Sequence, residues 1–235
     1  MVKDNAERWK EIQQLGISDI KVSASILSAI AKVQSEFGPI DFSLKMSQKV
    51  RLAKGALACC SIKDNTVTLS KEYFGMSSYD TLETVIARTI KNQFHPETEM
   101  KVPSIVVHEL CHAVWNMIEW KGHKLADEVG EIMKRWLQFM HKQHKCASMT
   151  YASANVFEFW AEMLTQSLCG TPNAFTDEVK ALAKKIFGSL TVALPKGFGT
   201  EFSENLIFLA FFLSQFPESE HHCSITNKKL NIWII

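Results

Sequence analysis

The chain has 235 residues, 46% of them hydrophobic, and its 26 Lys and Arg against 25 Asp and Glu give a net charge of +1. This balance provides no basic excess of the kind that nucleic-acid binding requires, so no nucleic-acid partner is expected. No apolar run approaches the roughly 18 residues of a membrane-spanning helix, so no membrane partner is expected either. A chain of this length can bury a core as one unit, and we predict a single domain over residues 1–235.

The start of the chain and its cysteines suggest a reducing compartment. Residues 1–20 lack the apolar core of a signal peptide. Of the six cysteines, Cys59 and Cys60 are adjacent and the others are scattered, which favours free thiols over a disulfide framework. We therefore expect the protein to be cytoplasmic as synthesised. Delivery or secretion by a route that needs no signal peptide stays open.

The first part, residues 1–102, is predicted to contain helices and a small sheet. Asp4 is a candidate N-cap of a first helix, and a second helix begins at about Ser23. Short apolar or alternating segments then predict three strands, at about 40–46, 55–62 and 66–70, with a turn at 63–65. The last strand is predicted as an edge, which either closes the sheet or holds an extended peptide by main-chain hydrogen bonds.

From Ser78 onward the apolar residues recur at helical spacing. Helices are predicted at about 78–94, 103–120, 124–144, after Asn155, at 176–190 and at 203–213. We treat 103–170 as the core of the domain and 171–235 as a mainly helical C-terminal part. The run 206–213 is apolar all round, so it is buried or covers a partner, and self-association through this part is one expectation. The predicted fold class is α+β, with a small mixed sheet of about three strands and a central helix.

The predicted helix at 103–120 contains His108-Glu109-Leu110-Cys111-His112, the H-E-x-x-H pattern. Residues four apart on a helix lie one above the other, so the two imidazoles can bind one zinc ion. Glu109 is rotated by about 100° around the axis, where it can reach a water on the metal without being a ligand. The alternative is a structural helix, although two histidines and a glutamate are costly to bury unpaired in an apolar segment.

A zinc site of this kind needs a third ligand. A histidine ten residues after His108 would complete an all-histidine site, but that position is Ile118. Glu158 and Glu162 follow the candidate N-cap Asn155 and share one helical face. Two His and one Glu leave a fourth position open for water, and we predict Glu158 as the ligand.

Plainer roles exist for the same carboxylates. Asn155 and Glu158 also fit a capping box that only satisfies backbone amides, and Glu162 fits a solvated charge. The apolar neighbours favour a buried partner cation instead; they are Phe157, Phe159, Trp160, Met163 and Leu164.

Other histidines are weaker candidates for metal binding. His95 stands in a His-Pro loop and is predicted as an ordinary loop residue. His141 and His144 are predicted to complement the dipole at a helix end, and His221-His222-Cys223 to lie in a solvated tail.

Together these motifs resemble the gluzincin metallopeptidases, and among them the anthrax lethal-factor-like catalytic domain, similar to domains of phage head-associated proteins and secreted bacterial toxins. Besides the H-E-x-x-H helix, the likeness rests on Ser148-x2-Tyr151, Tyr151-x6-Glu158 and Glu158-x2-Ala161-Glu162. It is good over about residues 100–165, looser over 20–100 and not evident beyond about 190. It implies a zincin-like fold.

The resemblance implies a role for each matching residue. His108, His112 and Glu158 would bind one zinc ion per chain, and Glu109 would be the general base. Tyr151 would donate its hydroxyl near the metal, the plainer alternative being a half-buried aromatic residue. Glu162 would orient a ligand histidine.

The implied function is that of a zinc metalloendopeptidase that hydrolyses peptide bonds in a peptide or protein substrate. The alternative is a catalytically degenerate zincin-like module that binds or supports other proteins in a phage or toxin assembly. Cys111 departs from the family pattern, in which Gly often precedes the second histidine. We predict a small packing residue there, with a thiol that makes the site sensitive to oxidation as the alternative.

Overall fold

The computed structural model describes residues 3–48, 56–92, 94–143 and 151–191. As predicted, the fold is mixed α+β, mostly helical with one small mixed sheet. The helices are α1 (Asn5–Gln14), α2 (Ile20–Phe37), α3 (Tyr79–Lys91), α4 (Lys101–Trp120), α5 (Leu125–Lys142), α6 (Val156–Cys169) and α7 (Ala174–Thr191). The strands are β1 (Ser43–Ser47), β2 (Ala58–Cys60) and β3 (Thr66–Ser70), with a π-helical turn at Lys71–Gly75 and a 3₁₀ turn at Tyr151–Ser153.

Capping carboxylates explain where the first helices begin. The Asp4 side chain accepts a hydrogen bond from the Glu7 backbone N–H at 2.8 Å, and Glu7 accepts one from the Asp4 N–H. Asp19 caps α2, which therefore begins earlier than the predicted start near Ser23. The second oxygen of Asp19 accepts from the Tyr79 N–H at 2.7 Å, so one carboxylate joins the starts of α2 and α3.

The strand order corrects one prediction. The sheet runs β1-β3-β2, with β3 parallel to β1 and antiparallel to β2, so β3 is the central strand and not an edge. As residues of a central strand, Thr66 and Ser70 are buried, although their side chains are polar. Strand β1 precedes the β2–β3 hairpin in the chain, so the sequence around β3 does not show that β1 pairs with it. Among the described residues, β1 and β2 are therefore the two edge strands of the sheet.

Helix α4 is the centre of the fold. Residues 102–116 are all buried, and the helix packs against α2, α3, α6 and the sheet. A helix covered on all sides needs apolar side chains around its whole circumference, which agrees with the apolar residues that occur on every face of α4. A polar group within 102–116 is therefore held away from bulk water and needs a protein or ligand partner.

Two asparagines attach the β2–β3 hairpin to α4. Asn65 adopts a positive φ of 52° in the predicted turn, a conformation that asparagine tolerates better than most residues. Its amide nitrogen donates to the carbonyls of Asp41 at 2.8 Å and Ala113 at 3.2 Å, and its oxygen accepts from Asn116 at 2.9 Å. These bonds fix the position of β2 along α4.

The last predicted elements lie outside the described residues. They are the helix at 203–213, the tail with His221-His222-Cys223, and the self-association expected of this part. None of the described helices is long and apolar enough to cross a lipid bilayer.

A buried ion pair fixes α1 to the sheet region. Arg8 is fully buried, and its Nη1 lies 2.7 Å from Glu11 Oε2 while its Nη2 donates to the Phe42 carbonyl at 3.1 Å. The other Glu11 oxygen accepts from the Leu44 N–H at 3.2 Å. Burial raises the pKa of Glu11, but its contacts with Lys3, Arg8 and Leu44 outweigh burial and lower it.

We expect Glu11→Gln to lower the free energy of unfolding near neutral pH by about 2 kcal/mol, because the Arg8 guanidinium loses its buried counter-charge. The folded pKa of Glu11 lies below the unfolded value of 4.5. The carboxylate therefore stabilises the fold fully above that value and less as pH falls through the folded pKa. Urea denaturation across this range should show the variant and the wild type converging in acid.

Glu131→Gln is the matched control, since Glu131 is exposed and lies 3.9 Å from the equally exposed Lys134. Its effect should stay within about 0.5 kcal/mol. A cost of Glu11→Gln that does not shrink in acid would contradict the assignment of the effect to the carboxylate charge.

Candidate metal centre

Two adjacent helices supply the polar side chains of the site. His108 and His112 lie one turn apart on α4, and Glu158 and Glu162 lie one turn apart on α6. The helices pack directly against each other, and the indole N–H of Trp160 donates to the Cys111 carbonyl at 2.9 Å. This bond fixes the axial position of α6 relative to α4, and with it the height of the carboxylates opposite the imidazoles.

Three ligand atoms form a nearly equilateral triangle. His108 Nε2 lies 3.1 Å from His112 Nε2 and 3.2 Å from Glu158 Oε2, and the latter two atoms are 3.3 Å apart. Zinc holds nitrogen and oxygen ligands at about 2.0–2.2 Å in a tetrahedron, which separates ligand atoms by about 3.3–3.6 Å. The observed triangle matches that spacing to within a few tenths of an ångström, so these residues could hold a metal ion.

Asn155 caps α6 without the help of Glu158. Its side-chain oxygen accepts from the backbone N–H groups of Phe157 at 3.0 Å and Glu158 at 2.9 Å. The Glu158 carboxylate is directed at the two imidazoles instead of back to the Asn155 backbone. The capping-box alternative therefore accounts for Asn155 but not for the position of the Glu158 carboxylate.

Glu162 approaches the other side of the His108 ring. Its Oε1 lies 2.9 Å from His108 Nδ1 and is buried, so Glu162 is not the solvated charge that was the plainer alternative. The distance suits a hydrogen bond, but the two groups are not aligned along the N–H direction in this arrangement. His112 is held differently, by Phe157, whose ring stacks on the imidazole with centroids 4.2 Å apart.

The electrostatics of the triangle reflect close pairing of opposite charges. Burial lowers the pKa of His108, but contacts with Glu158 and Glu162 outweigh it and raise the pKa well above its ordinary value. Burial raises the pKa of Glu158, but the two imidazoles outweigh it and hold the pKa far below its ordinary value. The carboxylates thus favour positive charge at the triangle, and a metal ion and a proton would compete for the same ring nitrogens.

Glu109 is buried beside the triangle and next to strand β2. Burial raises its pKa, and the charges of His108 and His112 oppose the rise. The backbone N–H of Cys60 in β2 hydrogen-bonds its carboxylate. A carboxylate with a raised pKa in a buried position is suited to accept a proton and release it again.

Tyr151 lies at the mouth of the site, with 36% of its surface exposed. Its ring centroid is 6.0 Å from that of His108, and its hydroxyl hydrogen-bonds Glu158. Burial and then the charges of Glu158 and Glu109 raise the pKa of the hydroxyl, so it stays protonated and able to donate.

Cys111 lies against α6, beside Thr165 and Cys169. It is fully buried, and burial raises its pKa well above the ordinary value for a thiol. A buried protonated thiol is a poor target for oxidation, which favours the packing role over the redox-sensitive alternative.

The predicted site residues therefore come together at one place, and one further residue joins them. His95, expected to be an ordinary loop histidine, is buried beside Glu162, with its Nδ1 3.6 Å from the Glu162 carboxylate. The sequence signal was weak, because a His-Pro pair only predicts a loop. Of the remaining candidates, His141 is exposed at the end of α5, and His144 lies outside the described residues.

Compared with known proteins, the chain matches no protein-family model, no curated protein and no solved structure. The likeness to gluzincins therefore stays a prediction, and the chemistry of the site has to be inferred from its own geometry.

We expect the purified protein to bind about one zinc ion per chain. His112→Ala and Glu158→Gln should each weaken zinc binding by more than about 10-fold, the loss that follows even from removing a residue next to a ligand. Elemental analysis and competition with a chromogenic chelator would measure both quantities. The control is His123→Ala, which removes an exposed histidine. Equal affinities of all four proteins would contradict the metal centre.

Proposed function

We propose that this chain is a zinc-dependent metallopeptidase that hydrolyses peptide bonds in a peptide or protein substrate. One observation carries the proposal: Glu109, a buried carboxylate that binds neither imidazole, lies beside a triangle of ligand atoms with the spacing that zinc requires. A structural metal site needs ligands only. A free carboxylate with a raised pKa next to it is a feature of hydrolytic sites.

His108, His112 and Glu158 would hold the ion. When bound, zinc would supply Lewis acidity that polarises the scissile carbonyl and lowers the pKa of water in the site towards about 7. Two imidazoles and one carboxylate leave room in the tetrahedron for water and substrate, unlike a closed four-residue site.

Glu109 would act as general base and then as general acid. As the water oxygen bonds to the carbonyl carbon, Glu109 accepts the water proton. It passes this proton to the amide nitrogen as the C–N bond breaks, and so returns to the carboxylate form. The raised pKa of Glu109 favours the first half of this cycle, because the protonated form is less costly than it would be in water.

Tyr151 would donate its hydroxyl to the oxyanion that develops on the carbonyl oxygen. The hydroxyl is protonated and close to Glu158, and the side chain is partly exposed, so a substrate could reach it. In the absence of substrate the Glu158 carboxylate holds the hydroxyl in place.

Among the described residues, no strand pairs with the outer edge of β2, and this edge suits an extended peptide. The Ser61 N–H donates to Thr66 and the Ser70 N–H to the Leu57 carbonyl, so the alternating pattern directs the backbone groups of Ala58 and Cys60 away from β3. Cys60 already contacts Glu109 from this edge. A peptide added here would run directly past the general base, and main-chain bonds would hold it regardless of its sequence.

We expect Glu109→Gln to lower kcat by about 10²–10⁴-fold while zinc content stays at the wild-type level, because Gln cannot accept the proton. The assay is cleavage of a peptide library followed by mass spectrometry. Glu119→Gln is the matched control, since Glu119 is exposed on the same helix and its change removes the same charge.

Unchanged cleavage by Glu109→Gln would rule out its role as base. A wild-type protein that binds zinc but cleaves no peptide in the library would favour the alternative, a zincin-like module that binds or supports other proteins.

We expect Tyr151→Phe to lower kcat by roughly 10²-fold with little change in KM, because the hydroxyl is used in the transition state and not in substrate binding. Steady-state kinetics on a cleaved peptide would measure both constants. Tyr73→Phe serves as the control, as Tyr73 lies in the π-helical turn outside the site. A rise in KM alone would assign Tyr151 to binding.

A further inference from the structure

His95 is a buried histidine that none of the proposed catalytic steps uses. It is 7% exposed, in the loop between α3 and α4. Its Nε2 lies 2.7 Å from Ser104 Oγ on α4, and its Nδ1 lies 3.6 Å from Glu162 Oε1 on α6. The ring therefore bridges the two helices that carry the candidate metal ligands.

The loop that carries His95 is fixed to the far end of α6. The Thr98 hydroxyl donates to the Cys169 carbonyl, and Thr98 pairs with Gly170 in an antiparallel bridge. A side chain at Gly170 would collide with the Glu97 carbonyl, so glycine permits this close approach. Because the loop is attached to α6 on one side and to Ser104 on the other, the imidazole of His95 has a defined position relative to Glu162.

His95, His108 and Glu162 also have ligand atoms close enough together to hold a cation of their own. His108 argues against that reading. Its Nδ1 is 2.9 Å from Glu162 Oε1, while its Nε2 faces His112 and Glu158. A neutral imidazole has one free lone pair, so a His108 that binds metal through Nε2 carries its proton on Nδ1. That N–H is next to Glu162 Oε1, so charge pairing between the Glu162 carboxylate and the two rings explains the cluster without a second cation.

Glu162 alone leaves the His108 ring loosely oriented. The last torsion of a glutamate side chain is broad, so its carboxylate can rotate unless a second group holds it. Among the described residues, the His95 ring is the second ionisable group at the Glu162 carboxylate. Ser104 Oγ lies 2.7 Å from both the Lys101 carbonyl and His95 Nε2, so its one proton can be donated to either acceptor. When Ser104 donates to Nε2, a neutral His95 carries its proton on Nδ1, where it faces Glu162.

We infer that His95 is a positioning residue: it orients the Glu162 carboxylate towards His108 Nδ1 and thereby directs the His108 Nε2 lone pair at the metal. The inference rests on the proposed zinc site and extends it by a chain of contacts from Ser104 through His95 and Glu162 to the ligand. Groups that orient a metal ligand contribute to metal affinity even though they do not touch the ion.

Two nearly isosteric substitutions of His95 test its two ring nitrogens separately. Asn places an amide nitrogen near Nδ1 and so keeps a donor towards Glu162, whereas Gln places it near Nε2 and keeps only the Ser104 side. We expect His95→Gln to weaken zinc affinity about 10-fold and His95→Asn to retain affinity within about 3-fold of wild type. Zinc affinity is measured by chelator competition, which requires no catalytic activity. His123→Gln, at an exposed histidine, is the control.

A double-mutant cycle tests whether His95 acts through Glu162. In a Glu162→Ala background, His95→Gln should cause no further loss of zinc affinity, because the group it orients is gone. If the losses of zinc affinity caused by His95→Gln and by Glu162→Ala are additive in the double mutant, the inference is overturned. If the His95 variants do not fold, Ser104→Ala is used in their place. We expect it to weaken zinc affinity a few-fold. Unchanged zinc affinity in Ser104→Ala would overturn the inference.

The outcomes distinguish this inference from the proposed function. A wild-type protein that binds no zinc overturns both. A wild-type protein that binds zinc, together with a His95→Gln variant of equal affinity, overturns the positioning role alone.

Discussion

The crowding of three carboxylates and two imidazoles between α4, α6 and β2 is the constraint on which the rest of the structure depends. Glu109 and Glu162 are buried and Glu158 is half-buried. Together they would carry more negative charge than His108 and His112 can balance unless protons or a cation are bound. A buried, unbalanced charge costs several kcal/mol, which is a large part of the stability of a domain. A divalent cation at the triangle would reduce this imbalance, so we expect metal binding and the stability of the helix pair to be linked.

Much of the site could be predicted because each half of it is local. A spacing of four residues places His108 above His112 on one helix, and the same spacing places Glu158 above Glu162 on another. Such pairings depend only on helix geometry, and the helices were predictable from their apolar periodicity. What the sequence could not fix was the axial position of α6 against α4. In the structure that position depends on contacts such as the bond from Trp160 to the Cys111 carbonyl.

The errors lie where structure depends on distant parts of the chain. β3 looked like an edge because its hairpin partner β2 is adjacent in sequence, whereas its parallel partner β1 is not. His95 does lie in a loop, but a His-Pro pair does not show which helices the loop contacts, so its burial beside Glu162 was not predicted. The burial of Arg8 was not predicted either, and it depends on the Glu11 carboxylate and on the carbonyl and ring of Phe42. The spacing of residues along the chain does not reveal contacts between residues that are distant in sequence.

The hydrogen bond between Asn65 and Asn116 joins the β2–β3 hairpin to helix α4, which is distant from it in sequence. Asn116 follows His112 by one turn of α4, so it lies on the same face as the histidines and next to the hairpin that it binds. Through this bond, a shift of the hairpin along α4 would move the Cys60 N–H away from Glu109. The same helix that presents the imidazoles therefore also sets the position of Glu109 and of the outer edge of β2. Under the proposed mechanism, a peptide held on β2 would lie at a fixed position relative to Glu109 and to the metal ligands.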